Sequence, residues 1–151
     1  MTELTQYLTP ERVIVLTGTN KADALKELMD VLVASNGVKA DELAKEVWKR
    51  EELMSTGIGN GLAIPHVRLA GVKHASIAVG VSPDGLADYE SLDKKPVHIV
   101  VMIVAASGEH ETYIRLLAKV ADVLKEEDFR QAVVAANDPA EIHRILTEGN
   151  A

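Results

Sequence analysis

The sequence predicts an α/β fold, a single-domain sandwich in which a central mixed β-sheet is flanked by helices on both faces. One observation is the run PVHIVVMIVA, residues 96–105, which is apolar on both faces as in a central strand covered by helices. Another is that amphipathic helical patterns lie on both sides of the strand segments. The third is the length of 151 residues with 47% hydrophobic side chains, which suits one globular domain over residues 1–151.

The N-terminal part predicts a short strand followed by two helices. Residues 13–16 form the strand, and a Thr19–Asn20 cap and an Asn36–Gly37 stop bound the first helix. The apolar stripe of that helix is Ala24, Leu25, Leu28, Met29, Leu32 and Val33. The second helix covers residues 40–53, and its inward stripe is Leu43, Val47, Arg50 and Met54. We therefore expect one arginine on a face that is otherwise buried.

The remaining elements alternate between strands and helices. Residues 62–65 predict a strand, residues 76–82 alternate as a second strand, and Pro83–Asp84–Gly85 predicts a turn. Ser107 is the expected cap of a long helix ending near Leu124, with Ile114, Leu117, Ala121 and Leu124 as its stripe. Two shorter helices are predicted at residues 129–136 and after Asp138–Pro139.

Composition excludes several classes of protein. The net charge is −7 and the basic residues are scattered, which argues against binding to nucleic acid or to an anionic membrane surface. The longest apolar run is too short to span a bilayer, and the N-terminus lacks a signal-peptide pattern, so we expect a cytoplasmic protein without membrane insertion. The absence of cysteine excludes disulfides, thiolate zinc sites and cysteine nucleophiles.

A glycine-rich stretch, MSTGIGNGLAIPH at residues 54–66, raises the question of phosphate binding. It lacks the lysine of a Walker loop, and its G-x-G-x-G spacing and helix-to-strand order do not fit a dinucleotide loop. A tight turn is therefore the simpler interpretation of these glycines.

Two histidines and one arginine remain as candidate site residues. No pair among the five histidines has metal-ligand spacing, so no metal is predicted. His66 follows Pro65 at the predicted strand end, where the missing proline N–H interrupts pairing and the imidazole is free to face a crevice. His110 falls in the first turn of its helix and is expected to face the sheet, near free N–H groups that favour an anion. An inward Arg50 needs an anionic partner, either a carboxylate such as Glu46 or Glu51, or a phosphate.

The segment REELMSTGIGNGLAIPH, residues 50–66, resembles the signature of the enzyme IIA domain of the phosphoenolpyruvate-dependent phosphotransferase system. The similarity is to the fructose, mannitol and nitrogen-regulatory branch. It extends over nearly the whole chain, including the approach Asp93-Lys94-Lys95-Pro96-Val97 and the helix from His110 to Leu124.

This resemblance implies a phosphotransferase with a phosphohistidine intermediate and no cofactor. The residue matching His66 accepts a phosphoryl group from the phosphocarrier protein HPr and passes it to an enzyme IIB partner in sugar uptake. The resemblance places His110 beside it and gives Arg50 the role of steadying the phosphoryl oxygens. Thr56 and the backbone near Gly59 and Gly61 are further candidates for stabilising the phosphoryl group.

Two matters stay open at this level. The chain could serve sugar uptake, or it could be a nitrogen-type regulatory module whose His66 phosphorylation state controls binding to a target protein. Val67 departs from the Gly, Ala or Cys that usually follows this histidine. We expect its side chain to point to the face opposite His66, where the β-branched bulk is tolerated.

Overall fold

The computed structural model describes residues 3–148, and these form a six-stranded mixed sheet with helices on both faces. The strands are β1 (Val13–Val15), β2 (Gly57–Gly59), β3 (Leu62–Ala63), β4 (His66–Leu69), β5 (Ser76–Leu86) and β6 (Val97–Ala106). The α-helices are α1 (Lys21–Asn36), α2 (Ala40–Leu53), α3 (His110–Val123), α4 (Glu127–Ala136) and α5 (Pro139–Glu148). Two short 3₁₀ segments, Glu3–Gln6 and Pro10–Arg12, precede β1.

Strand β6 is the centre of the sheet. It pairs antiparallel with β5 along one edge and parallel with both β3 and β4 along the other. Strand β1 extends the sheet beyond β5 in parallel, and β2 extends it beyond β3 in antiparallel pairing. The predicted fold class, a mixed central sheet between helices, is confirmed. The predicted domain span of 1–151 stays a prediction, since residues 1–2 and 149–151 lie outside the described residues.

Each face of the sheet has its own apolar core. Helices α1 and α2 cover one face, and helices α3, α4 and α5 cover the other. Successive side chains of a strand point to opposite faces, so Ile77, Val79 and Val81 of β5 all pack in the core beneath α3, α4 and α5. The prediction for α1 also holds: Asn20 accepts a hydrogen bond from the Asp23 amide at 2.8 Å, and Gly37 ends the helix with φ +80°.

The predicted turn at Pro83–Asp84–Gly85 is wrong. Strand β5 runs through it to Leu86, and the pairing with β6 shifts register between Val81 and Leu86. Gly85 adopts φ +87°, and its amide donates to the Ser82 hydroxyl at 3.1 Å. The turn-forming residues are thus accommodated as an irregularity within the strand, because pairing resumes beyond them.

The predicted stripe of helix α3 is wrong in part: Leu124 is buried as predicted and Leu117 packs against the core, but Ile114 and Ala121 are exposed. Tyr113, Leu116 and Val120 are the buried residues of α3, whereas Ile114 is half exposed. Apolar residues occupy two adjacent stripes of this helix, so periodicity alone allows both phases. The helix begins at His110 after Glu109 rather than with a Ser107 cap, and His110 is exposed rather than directed at the sheet.

Among the described residues, none of the helices has the length and apolar character needed to cross a lipid bilayer.

Candidate phosphoryl-transfer site

His66 is the first residue of strand β4, at a break in the sheet. Strands β3 and β4 both pair with β6, and Ile64 and Pro65 separate them. The interruption predicted from Pro65 is present, because proline has no N–H for the ladder. The predicted strand boundary is wrong, because parallel pairing resumes at His66, opposite Ile103.

The break determines which ring nitrogen of His66 is free. Its Nδ1 lies 2.5 Å from the backbone carbonyl oxygen of Ile64. A carbonyl only accepts hydrogen bonds, so Nδ1 carries the proton and Nε2 presents a lone pair. The Nη2 group of Arg50 donates to that Nε2 at 3.0 Å.

The surroundings keep His66 neutral. Burial lowers the pKa of the imidazole below its ordinary value, and the nearby charge of Arg50 lowers it further. The hydrogen bond to Ile64 and the charge of Glu51 oppose this shift without overcoming it. At neutral pH the ring is therefore a neutral imidazole whose Nε2 is unprotonated and nucleophilic.

Arg50 meets His66 from the last turn of helix α2. The prediction that it is buried is wrong, since its side chain is exposed. In this last turn the buried residue is Glu51, whereas the neighbouring Leu53 and Met54 are 77% and 76% exposed. In the described part of the chain no carboxylate lies within 4 Å of the Arg50 guanidinium. Of the two predicted partners, a carboxylate is therefore absent among the described residues, and a phosphate stays a prediction.

Arg68 and Tyr113 complete the site and were not predicted from the sequence. The Tyr113 ring lies 5.4 Å from the His66 ring, and its hydroxyl donates to the His66 carbonyl at 3.3 Å. The Arg68 guanidinium lies 5.2 Å from the centre of the Tyr113 ring, a cation–π contact. Alternation along a strand was the available signal for Arg68, since it follows His66 by two residues and shares its face.

His110 approaches the site only through Arg68. Its Nδ1 lies 3.2 Å from Nη1 of Arg68, and since guanidinium only donates, Nδ1 accepts. His110 lines neither of the two cavities that contain His66. The structure thus brings His66 and Arg50 into direct contact but leaves His110 on the far side of Arg68.

His66 and Arg50 lie between two open cavities of different character. One has a volume of about 460 Å³ and a largely apolar lining: Leu53, Met54, Ser55, Thr56, Ile58, Ile64 and Leu117. The other has a volume of about 320 Å³ and a more polar lining: Glu46, Val67, Arg68, Ser107 and Tyr113. The first cavity therefore presents mainly apolar side chains beside His66, and the second presents two arginines and a tyrosine.

The remaining candidate residues lie further from the imidazole. Thr56 lines the apolar cavity, but its hydroxyl bonds to the Tyr89 hydroxyl at 2.6 Å. Gly59 and Gly61 line neither cavity at His66. Gly59 ends β2, and Gly61 lies in the turn that joins β2 to β3. Asn60 and Gly61 have φ of +59° and +76°, as in a type I′ turn.

The glycine hairpin borders a different region. Gly61 belongs to a third cavity, about 490 Å³ in volume, that shares no lining residue with the His66 site. His98 lies there, and its Nδ1 donates to the Ser82 carbonyl at 2.9 Å. Val67 is buried against the opposite core, as predicted.

A buried ion pair supports the site from behind. The Lys21 ammonium lies 2.9 Å from Oε1 of Glu51, with side chains 11% and 2% exposed. The same carboxylate accepts from the Thr56 amide at 3.2 Å, and its Oε2 is buried without a hydrogen-bond partner. This network fixes the segment after α2, and thereby the turn that carries Arg50.

The remaining histidines show no metal site. His74 is exposed, whereas His143 is half-buried and donates from Nε2 to the Leu8 carbonyl at 3.0 Å. Among residues 3–148, no three His, Cys, Asp or Glu side chains are grouped as a metal ion would require.

Several known proteins are similar to this chain in sequence. The family model described as phosphoenolpyruvate-dependent sugar phosphotransferase system, EIIA 2, matches residues 6–149. The fructose-specific EIIABC component of Bacillus subtilis is 34% identical over 148 residues, which are 97% of this chain and 23% of that protein. A nitrogen regulatory protein of Pseudomonas aeruginosa is 30% identical over 150 residues, covering 98% of this chain and 97% of that protein.

A solved structure shows the same architecture. The complex of the mannitol enzyme IIA and phosphorylated enzyme IIB of Escherichia coli contains a chain that superposes with a TM-score of 0.75 at 20% identity, covering 90% of this chain and 94% of that chain. The family match extends over nearly the whole sequence and includes every site residue described above. The chain belongs to the EIIA 2 family of the phosphoenolpyruvate-dependent sugar phosphotransferase system, whose members are phosphotransferase components.

Proposed function

We propose that this chain is a phosphocarrier that accepts a phosphoryl group from phosphorylated HPr on Nε2 of His66 and passes it to an EIIB partner. One observation carries the proposal: Nδ1 donates to the Ile64 carbonyl, so the neutral Nε2 presents its lone pair to a cationic cavity. Such an atom is a nucleophile beside groups that bind phosphate oxygens.

The transfer is an in-line exchange between two imidazoles. The Nε2 lone pair forms a bond to phosphorus while the nitrogen–phosphorus bond of the donor breaks, and the donor imidazole keeps that electron pair. The proton on Nδ1 stays in place, hydrogen-bonded to Ile64. The phosphorylated ring therefore carries positive charge, which makes it a good leaving group for onward transfer. The step needs no nucleotide and no further reactant.

Arg50 and His110 have different roles in this scheme. Arg50 moves from the Nε2 lone pair to the side of the phosphoryl group and stabilises an equatorial oxygen. His110 positions Arg68 through its Nδ1. Thr56 holds the wall of the docking cavity, and Gly59 and Gly61 act only through the hairpin that leads into strand β3.

The apolar cavity and the exposed side chains around it suit a shared docking surface for donor and acceptor. Leu53, Met54 and Ile58 are 77%, 76% and 45% exposed and lie beside His66. The solved mannitol complex of an enzyme IIA with phosphorylated enzyme IIB supports an EIIB acceptor, and the fructose-specific relative supports a role in sugar uptake. We expect the transfer to take place in the cytoplasm.

A regulatory role is the second candidate. The nitrogen regulatory relative is similar to this chain over 150 residues at 30% identity, nearly the same extent and identity as the fructose component. In this alternative, the phosphorylation state of His66 controls binding to a target protein.

The experiment is incubation with phosphoenolpyruvate, enzyme I and HPr, followed by intact-mass measurement. The wild type is expected to gain one acid-labile phosphoryl group, and His66→Ala none. His74→Ala is the matched control, because His74 is an exposed histidine that lines neither cavity at His66. Equal labelling of His66→Ala and wild type contradicts the site, and no labelling of the wild type contradicts the donor.

Adding EIIB domains separates the two roles. Loss of the label to a fructose- or mannitol-type EIIB supports sugar uptake. Retention of the label with every EIIB tested, together with partner binding that changes on phosphorylation, supports the regulatory role.

A further inference from the structure

The polar cavity at His66 is lined by two guanidinium groups and one acidic residue. Arg50 and Arg68 both line it, and Glu46 is the one acidic residue of the lining. Within residues 3–148, no carboxylate lies within 4 Å of either guanidinium. Two guanidinium groups that line one cavity, and that pair with no carboxylate of the described residues, favour an anion with oxygens to share between them.

Arg50 alone leaves part of a phosphoryl group unsupported. Its Nη2 now occupies the direction of the Nε2 lone pair, at 3.0 Å, where the new bond to phosphorus must form. Arg50 must therefore move to one side when His66 is phosphorylated. The oxygens on the other side face the polar cavity, and Arg68 is the cation in that wall.

Arg68 is held weakly and has donors to spare. Only its Nη1 has a hydrogen-bond partner in the described part of the chain, the neutral Nδ1 of His110 at 3.2 Å. A charge-assisted bond to a phosphoryl oxygen is stronger than this long contact. Arg68 and His66 lie on one face of β4, two residues and roughly 7 Å apart, which is within the reach of an arginine side chain.

We infer that Arg68 is a second phosphoryl-binding residue, which leaves His110 and binds an oxygen of the phosphoryl group when His66 is phosphorylated. The inference rests on the proposed function, since it needs phosphohistidine at His66. It also explains how His110 takes part without lining the cavity: it holds Arg68 in readiness in the unphosphorylated state.

The test measures the equilibrium distribution of the phosphoryl group between HPr and this protein by phosphorus NMR. Arg68→Ala is expected to lower the equilibrium ratio of phosphorylated to unphosphorylated protein about tenfold relative to the wild type. That is the lower end of the range for a charge-assisted hydrogen bond at an exposed site. Arg68→Lys keeps the charge but lacks the planar guanidinium, so its ratio is expected to lie between those of the wild type and Arg68→Ala. Arg115→Ala is the matched control, since Arg115 is an exposed arginine of α3 bonded to the Tyr7 hydroxyl.

A second readout reports the movement itself. In the wild type, phosphorylation of His66 is expected to shift the nitrogen resonance of His110 Nδ1, because that atom loses its donor. In Arg68→Ala the same resonance is expected to stay unchanged on phosphorylation. A merely structural role of Arg68 would not produce this difference.

The outcomes separate the two proposals. The inference is contradicted if Arg68→Ala and the wild type share the phosphoryl group with HPr equally within twofold. It is also contradicted if the His110 Nδ1 resonance of the wild type does not shift on phosphorylation. Either result leaves the phosphocarrier function standing. If HPr does not phosphorylate the wild type, phosphoramidate serves as the chemical donor, and the His110 resonance still decides. If His66 accepts phosphate from neither donor, both proposals are overturned.

Discussion

Replacing Glu51 with Gln tests the buried ion pair behind the site. The substitution keeps the shape of the side chain but removes the charge that balances Lys21, whose ammonium lies 2.9 Å away. Removing one partner of a buried pair typically costs 3–5 kcal/mol of unfolding free energy, since the other charge stays buried. Lys21 retains Glu90 at 3.8 Å and the Tyr89 ring at 4.7 Å. We therefore expect the lower end, about 3 kcal/mol.

The expected loss corresponds to a drop in Tm of roughly 6–12 °C for a chain of this size. Denaturant unfolding at pH 7 measures the free energy directly, and thermal unfolding checks the temperature shift. Phosphorylation of His66 is expected to slow as well, because the Glu51 carboxylate also accepts from the Thr56 amide at 3.2 Å.

An exposed pair of the same geometry provides the control. Lys26 and Asp30 also lie 2.9 Å apart, but their side chains are 72% and 64% exposed. Asp30→Asn is the same change of acid to amide and is expected to cost less than about 0.5 kcal/mol. The double variant Lys21→Met with Glu51→Leu is expected to lose less stability than Glu51→Gln, since no charge is left buried. A loss below about 1 kcal/mol for Glu51→Gln would refute the reasoning.

Three further predictions concern the site and its supporting turn. The pKa of His66 is lowered, so protonation competes with phosphorylation only below the ordinary histidine range. The phosphorylation rate should stay level as the pH falls through about 6.5 and decline at lower pH, and a midpoint at or above 6.5 in the pH–rate profile would contradict this. Arg50→Ala should slow phosphorylation about 10²-fold, as measured by rapid-quench kinetics. Its free energy of unfolding should change by less than about 0.5 kcal/mol in denaturant, because the side chain is exposed. An unfolded variant would show a structural role instead. Gly57→Ala should cost about 2–3 kcal/mol, since its Cβ would lie 2.1 Å from the Glu90 carbonyl oxygen; unchanged stability in denaturant unfolding would show that the two backbone segments separate easily.

Local rules predicted those elements whose signals are contained within a few residues. The cap at Asn20 and the stop at Gly37 bound α1 as expected, since both depend on hydrogen bonds and dihedral angles of the adjacent backbone. The burial of Val67 opposite His66 follows from strand alternation in the same way. The interruption at Pro65 follows from a missing N–H.

Periodicity was less informative where two answers satisfied it. For α3, the Ile114 stripe and the Tyr113 stripe differ by one position, and only the packing against the sheet selects Tyr113. For α2, Leu43 and Val47 are buried as predicted, but in the last turn the buried residue is Glu51 rather than Arg50. That choice depends on Lys21 of α1, which pairs with Glu51 and is distant in sequence.

By itself, the sequence determined that this chain forms a mixed α/β sheet between helices, that it belongs to a family of phosphotransferase components, and that His66 is the candidate nucleophile. Only the tertiary structure decided that Nε2 is the free nitrogen, that Arg50 faces it from an exposed turn, and that Arg68 lies between His110 and the cavity. The physical reason is that caps, strand alternation and motif spacing are set by neighbouring residues. Contacts such as those of His110 with Arg68, 42 residues apart, exist only once the sheet has brought β4 beside the start of α3.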